Sequence, residues 1–390
     1  MAVRRGVAVV VAIIAFGVIV SFTGIALVYL LVSRGPSIQD DSTLVLRPGG
    51  ELQETVPTDV VGQLFARDTM TVRGFADSLR LAKHDPRVTG VLLMPSSIDS
   101  PYWAKVQELR DAVLDFRKSG KIVVSFLEYG GDREYYLASA ADRVFLLPTS
   151  SLDVTGIASY EVFLRGAFDK VGAYPDFLQI GAYKTAVNQL TQTAFTPEHR
   201  EMAESLNDDM YQQLVRGIAS ARKKTEAETR QLLDEGPFSP EDAVRYGLVD
   251  GLAYEDQLDD RVPQLRQGGE MRRVDATDYQ RVTPRSVGVR TVSRIAVLYA
   301  SGVIASGRSG YNPGTGMVVG SDSFVEELRR VRDDDSIKAI VLRVDSPGGS
   351  GSASDVMWRE LTITRDQKPT RPRRTRETRS RDCGSGSRRR

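Results

Sequence analysis

The spacing of apolar positions changes several times along the chain, and each change predicts an element. An unbroken apolar run fills residues 6–32 behind Arg4 and Arg5. It exceeds the roughly 20 residues that a helix needs to cross a bilayer, and it is longer than the apolar part of a cleaved signal. A transmembrane anchor is therefore expected, with residues 1–5 as a basic cytoplasmic end and the body outside. After a linker at 33–43, β-rich runs alternate with amphipathic stretches. Val91-Leu92-Leu93-Met94 predicts a strand, and 103–118 predicts a helix with Val106, Leu109, Val113 and Phe116 on one face. Residues 121–127, 143–147 and 176–180 predict further strands, and a helix is expected to begin in 135–141. This alternation predicts an α/β fold with a mostly parallel sheet and crossover helices.

The pattern occurs twice. Asp85-Pro86-Arg87-Val88-Thr89-Gly90-Val91-Leu92-Leu93-Met94 is matched by Asp334-Asp335-Ser336-Ile337-Lys338-Ala339-Ile340-Val341-Leu342-Arg343. A helix is predicted before each (75–83 and 323–332) and after each. A lysine, Lys121 or Lys368, then stands where the next strand should begin. A repeat at this period predicts a duplicated unit. The Gly-, Arg- and Pro-rich stretch 267–292 divides a first unit, 44–266, from a shorter second one, 293–369.

Composition removes several kinds of chemistry. The only cysteine, Cys383, excludes an internal disulfide and any cysteine-based metal site, and two histidines exclude a histidine-rich metal centre. His84 falls in a turn. His199 falls at a helix start with Thr196 as cap and Pro197 in the first turn; both histidines are expected to be solvated. The net charge of +1 conceals nine arginines against Glu377 and Asp382 within 370–390, so the rest of the chain is acidic. An acidic body does not suit nucleic acid.

Two short segments carry possible chemistry. Asp345-Ser346-Pro347-Gly348-Gly349-Ser350 follows the predicted strand 339–344 and precedes a predicted helix, 353–361. Glycines at that place let backbone N–H groups face an open cleft and hold an anion; a plain tight turn fits the same residues. The Gly349-Ser350-Gly351 spacing lacks the third glycine of a dinucleotide fingerprint. Pro95-Ser96-Ser97-Ile98, at the matching place in the first unit, has no glycine. Lys184, in Gly181-Ala182-Tyr183-Lys184-Thr185-Ala186, follows the predicted strand 176–180. A lysine there is ordinarily a surface residue, yet burial can turn one into a general base. With so few histidines, a serine–lysine pair is the simplest hydrolase the chain could build.

Tyr135-Tyr136-Leu137-Ala138-Ser139-Ala140-Ala141-Asp142, Thr155-Gly156 and Tyr183-Lys184-Thr185-Ala186, followed by Ser346-Pro347-Gly348-Gly349-Ser350 and Ala353-Ser354, resemble the long, two-module form of the signal peptide peptidase A (protease IV) family. Ala243-Val244-Arg245-Tyr246-Gly247-Leu248-Val249-Asp250 resembles the helix-turn that closes each module. The resemblance implies tandem crotonase-like modules behind the anchor, the second incomplete. It also implies a homo-oligomer on the extracytoplasmic side of the inner membrane, in contact with lipid. The activity implied is that of a serine–lysine endopeptidase, without cofactor, acting on remnant signal peptides. Lys184 matches the family's catalytic lysine, and Gly349, with Gly348, its oxyanion hole.

One part of the pattern departs from the family. The nucleophile is expected one strand beyond Ser-Pro-Gly-Gly, in a Ser-Gly-Gly segment. In the first unit, Asp132 holds the corresponding position. In the second, Thr370-Arg371-Pro372-Arg373-Arg374 and the remainder to Arg390 contain no aliphatic residue and no strand pattern. The tail 370–390 resembles a reading frame that has shifted, and the chain is expected to lack its nucleophile. Ser350, Ser352 and Ser354 sit in the turn itself and fit that role poorly. The alternative is a non-catalytic membrane protein that binds peptides or partner subunits. An acyl-CoA enzyme of the crotonase class shares the fold but not the outward anchor.

Overall fold

A computed structural model describes residues 16–17, 20–21, 23–24, 38–54, 70–100, 103–265, 269–290, 293–312 and 314–374. The apolar run at 6–32 lies outside the described residues except for Phe16, Gly17, Val20, Ser21, Thr23 and Gly24, all helical. Among the described residues no helix is long and apolar enough to cross a membrane.

The larger sheet is built as the strand–helix alternation predicts. β1 (Ser42–Leu46) leads to α1 (Val72–His84), β2 (Val88–Leu93), α2 (Trp103–Arg117) and β3 (Ile122–Leu127). Next come the two-residue β4 (Gly130–Gly131), α3 (Asp132–Ala138), β5 (Arg143–Leu146) and β6 (Leu152–Asp153). Three helices, α4 (Pro197–Arg222), α5 (Glu226–Glu235) and α6 (Pro240–Arg245), precede β7 (Gly251–Leu252) and β8 (Arg272–Asp275). The strand order is β7-β5-β3-β2-β1-β8, with every pairing parallel. Alternate residues of each strand supply opposite faces. Leu44, Leu46, Val91, Leu93, Val123 and Leu127 pack under the helices. Val45, Leu92, Met94, Val124 and Phe126 meet Leu258, Val262, Leu265 and Met271 on the other side. Burial of both faces explains why these strands are continuously apolar.

The second sheet repeats part of this plan. β9 (Arg294–Ser301) is followed by β10 (Val303–Ala305), β11 (Gly310–Asn312) and β12 (Gly316–Gly320), which form a small sheet of their own. Then come α7 (Ser321–Asp333), β13 (Ile337–Asp345), α8 (Gly351–Arg365) and β14 (Thr370–Arg374). The order β14-β13-β9 is parallel throughout. One face, with Leu298, Ala300, Ile340 and Leu342, packs against Phe324, Leu328 and Met357.

The likeness of the two regions reaches individual bonds. Lys121 Nζ donates to the carbonyls of Ala82 and Asp85, at 2.7 and 2.6 Å, at the end of α1. Lys368 Nζ donates to the carbonyls of Val331, at 3.1 Å, and Asp334, at the end of α7. A cation there satisfies orphan carbonyls and complements the negative end of the helix dipole.

Four expectations need correction. Residues 176–180 form no strand; Leu178 and Ile180 are exposed, with no neighbouring strand to pair with. His199 is buried rather than solvated, packed between Phe163 and Phe195. The helix expected within 135–141 begins earlier, at Asp132, with Gly131 as its cap. Thr370–Arg374 does pair in parallel with β13, from Ile340↔Thr370 to Val344↔Arg374. The ladder uses backbone groups, so the position after Lys368 places a strand there without any aliphatic side chain. The tail beyond Arg374 lies outside the described residues.

Candidate functional site

The end of β13 carries the glycine turn. Ser350 caps α8 by accepting from Ala353 N at 3.2 Å, which stops the helix short of the turn. Ile304 of β10 lies alongside: Ile304 N donates to Gly348 O, and Ser350 N donates to Ile304 O, each at 2.9 Å. Gly349 lies between these two bonds. Its N–H therefore points away from β10, and among the described residues it has no hydrogen-bond partner. Gly348 and Gly349 have φ of +107° and +155°. A Cβ on Gly349 would lie 2.0 Å from Ile304 O. Only glycine fits such a backbone at this distance, and the exposed N–H is a ready donor to an anion.

Besides Ser350, the hydroxyls of Ser346 and Ser354 are engaged in holding the turn. Ser346 Oγ accepts from Gly348 N at 3.1 Å, and Ser354 Oγ donates to Ser350 O at 2.8 Å.

Charged side chains of the first sheet's region hold the turn from behind. Lys105 Nζ lies 2.8 Å from Asp345 Oδ2 and donates to Leu52 O, also at 2.8 Å. Arg343 makes a two-pronged pair with Glu54 and also donates to Glu108 at 3.0 Å. Lys105, Glu54 and Arg343 are buried. Burial pushes the Glu54 carboxyl up, against the downward pull of Arg343 and Lys105. Burial pulls Arg343 down, yet its bonds to Glu54 and Glu108 outweigh that and hold it above its ordinary value. Arg73 adds a bond to Tyr299 Oη at 3.3 Å. Tyr299, Arg343 and Asp345 occupy the face of β9 and β13 opposite Leu298 and Leu342. The sequence reading missed this cluster. The arginine inside Ile340-Val341-Leu342-Arg343-Val344 was its visible signal, because a charge in an apolar strand needs a partner.

Lys184 lies elsewhere. It precedes a 3₁₀ turn, Thr185–Val187, whose Thr185 is buried and reaches Met202 Sδ of α4 at 3.7 Å. The Lys184 side chain is exposed, and among the described residues it has neither an ion pair nor a hydrogen bond. Among the described residues no hydrogen bond links it to Gly348 or Gly349. Its neighbour Tyr183 donates to Glu201 at 2.7 Å, and that bond raises the phenol above its ordinary value. Upstream in the chain, Tyr160, Val162, Tyr174, Leu178 and Ile180 are also exposed. A cleft of about 340 Å³ opens beside this region, lined by Ile157, Ser159, Phe195, Arg200, Glu204 and Asn207. Among the described residues no group of His, Cys, Asp or Glu could hold a metal ion.

Comparison with known proteins gives a consistent picture. Residues 115–268 match the profile of Peptidase family S49. The chain is 30% identical over 331 residues to the serine protease SPPA, chloroplastic, of Arabidopsis thaliana, covering 83% of this chain and 48% of that protein. It is 29% identical over 301 residues to protease 4 of Salmonella typhi (74% and 47%), and 26% over 295 residues to protease 4 of Haemophilus influenzae (73% and 47%). The chain thus spans about half the length of the curated relatives it matches.

Proposed function

The chain belongs to peptidase family S49, in its signal peptide peptidase A (protease 4) group, and we propose that it carries the general-base lysine and the oxyanion hole of a membrane-bound serine endopeptidase that degrades remnant signal peptides. The observation that carries this reading is the Gly349 N–H: exposed, unpartnered among the described residues, and fixed by the bonds of Ile304 on either side. Gly349 offers this N–H to the oxyanion, beside Gly348 in the same turn. Lys184 is the general base, taking the proton from a serine as that serine attacks the peptide carbonyl. The nucleophile is not among Ser346, Ser350 and Ser354, whose hydroxyls hold the turn itself. It belongs just beyond the end of β14, one strand after Ser346-Pro347-Gly348-Gly349, where residues 375–390 hold no Ser-Gly-Gly segment.

The two sheet regions with their matching lysines support tandem crotonase-like modules. The run at 6–32 supports a single-pass anchor in the inner membrane with the body on the extracytoplasmic side. A lysine serves as base near neutral pH when it is buried, and Lys184 is exposed in this single chain. A homo-oligomer in which a second copy covers Lys184 fits that need. Peptide and lipid are the partners; no nucleic acid and no cofactor enters the scheme.

A second reading, a non-catalytic membrane protein that binds peptides or partner subunits, is favoured by the engagement of the Ser346 and Ser354 hydroxyls within the turn. The two are separated by sequencing the DNA around codon 370 and expressing the frame that encodes a further strand and Ser-Gly-Gly. That protein should cleave signal peptides and react with a fluorophosphonate, the present chain should do neither, and Lys184→Ala should abolish cleavage. Labelling of the present chain, or cleavage by the Lys184→Ala protein, would sink the assignment.

A further inference from the structure

The turn that ends β2 has the same backbone bonding as the turn that ends β13. Gly50 N donates to Ser97 O at 2.7 Å, and Asp99 N donates to Gly50 O at 3.0 Å. In the other turn Ile304 N donates to Gly348 O, and Ser350 N to Ile304 O. The ladder therefore pairs Gly50 with Ile304 and Ile98 with Gly349. Each central residue turns its N–H away from the neighbouring segment. At Gly349 that N–H is open, whereas Ile98 N donates to Glu134 Oε1 at 2.6 Å. Ile98 and Glu134 are 3% and 5% exposed, so solvent does not compete for the bond.

We infer that the turn 96–100 is a second anion hole, kept closed by the Glu134 carboxylate as an internal ligand. The carboxylate stands where an oxyanion or a peptide carboxylate would sit. Three features of the chain put it there. α3 starts at Asp132, so Glu134 lies in its first turn, directed back across Gly131. A Cβ on Gly131 would lie 2.6 Å from Glu134 Oε2, so glycine is what lets the carboxylate lie flat against the chain. Asp132 is held aside by the N–H of Gly156 at 3.1 Å. The two turns thus share one backbone device with opposite occupancy: the first is filled from within, and the second is left for a ligand. The name "oxyanion" for the second rests on the proposed peptidase reading; the closure of the first does not.

Chemical rescue tests the closure directly. In the full chain, purified in mild detergent, Glu134→Ala should lower Tm by roughly 3–10 °C, because a buried N–H loses its acceptor. Formate should restore part of that loss in Glu134→Ala, more than chloride at the same ionic strength does, and should leave the wild-type Tm unchanged. An unchanged Tm in Glu134→Ala, or equal effects of formate and chloride, would overturn the inference. If Glu134→Ala does not fold, Glu134→Gln supplies the test. Its amide oxygen is a weaker acceptor than a carboxylate, so amides in the segment 95–100 should exchange with deuterium faster than in the wild type. Wild-type exchange there would equally overturn it. Neither readout involves Gly349 or Lys184, so failure of the peptidase reading leaves this result standing.

Discussion

Lys105 of α2 and Asp345 at the end of β13 form a 2.8 Å ion pair between residues far apart in sequence, one buried and the other nearly so. Asp345 directly precedes Ser346-Pro347-Gly348-Gly349, so the pair fixes the root of the glycine turn to the first sheet's region. Arg343, two residues earlier on the same face, does the same through Glu54 and Glu108.

Loss of one partner from this cluster should cost more than loss of two. Arg343→Met leaves Glu54 buried and unpaired and should lower stability by about 3–5 kcal/mol. Combining it with Glu54→Gln should recover a large part of that loss, since the two changes are coupled. Urea denaturation of the two single variants and the double variant measures the coupling. Additive losses would show that the pair contributes nothing as a pair.

The two matching lysines should act separately. Lys121→Met and Lys368→Met each remove a cation from the carbonyl end of a helix and should each cost about 1–3 kcal/mol. Because they serve different helices with no shared partner, the losses should add in the double variant. Thermal and urea unfolding of the single and double variants checks both statements.

Gly349→Ala should damage the turn. The new Cβ would fall 2.0 Å from Ile304 O and 2.7 Å from Ile304 N, both backbone atoms that cannot swing away. Overpacking of this kind costs about 1–3 kcal/mol. Hydrogen exchange should be faster at Ile304 and Ser350, whose N–H groups make the two ladder bonds, and unchanged in β1–β3.

Asp132 should give stability a pH dependence of its own. Burial pushes its carboxyl from 3.8 to about 6, although the N–H groups of Gly156 and Thr155 pull it down. The native state therefore holds a proton that the unfolded chain releases. The contribution favours folding at low pH and is lost as pH rises from about 4 to about 6, at most about 3 kcal/mol. Asp132→Asn keeps an oxygen acceptor and never ionises. It should be more stable than the wild type above pH 6, with the difference vanishing near pH 4. A difference that grew on acidification would contradict the assignment.

Much of the fold was legible in the sequence because local patterns and burial agree there. Val91-Leu92-Leu93-Met94, Val106/Leu109/Val113/Phe116 and Thr196-Pro197 each predict the element that forms. The matching segments do share one local detail: Asp85 and Asp334 each follow a helix, and Lys121 and Lys368 each return to the carbonyl end of that helix. Asp176-Phe177-Leu178-Gln179-Ile180 misled because β-branched and aromatic residues predict a strand only when another strand is available. His199 misled because a polar residue in the first turn of a helix is usually solvated, whereas here Phe163 and Phe195 cover the ring. At the candidate site, Gly348 and Gly349 could be read from composition. The bond of Glu134 to Ile98 and the partners of Arg343 could not, since they depend on which segments meet across long separations.

The alternation of faces along β9 and β13 has a mechanical consequence. Apolar Leu342 faces the α7–α8 side, while its neighbour Arg343 reaches Glu54 and Glu108. A slip of β13 by one residue would bury a guanidinium among leucines and offer a leucine to two carboxylates. A slip by two would keep the faces but bring Val341 or Asp345 to those carboxylates. The ion pairs thus act as a detent on the strand. They allow β13 one longitudinal position, and so one height at which the Gly349 N–H is presented.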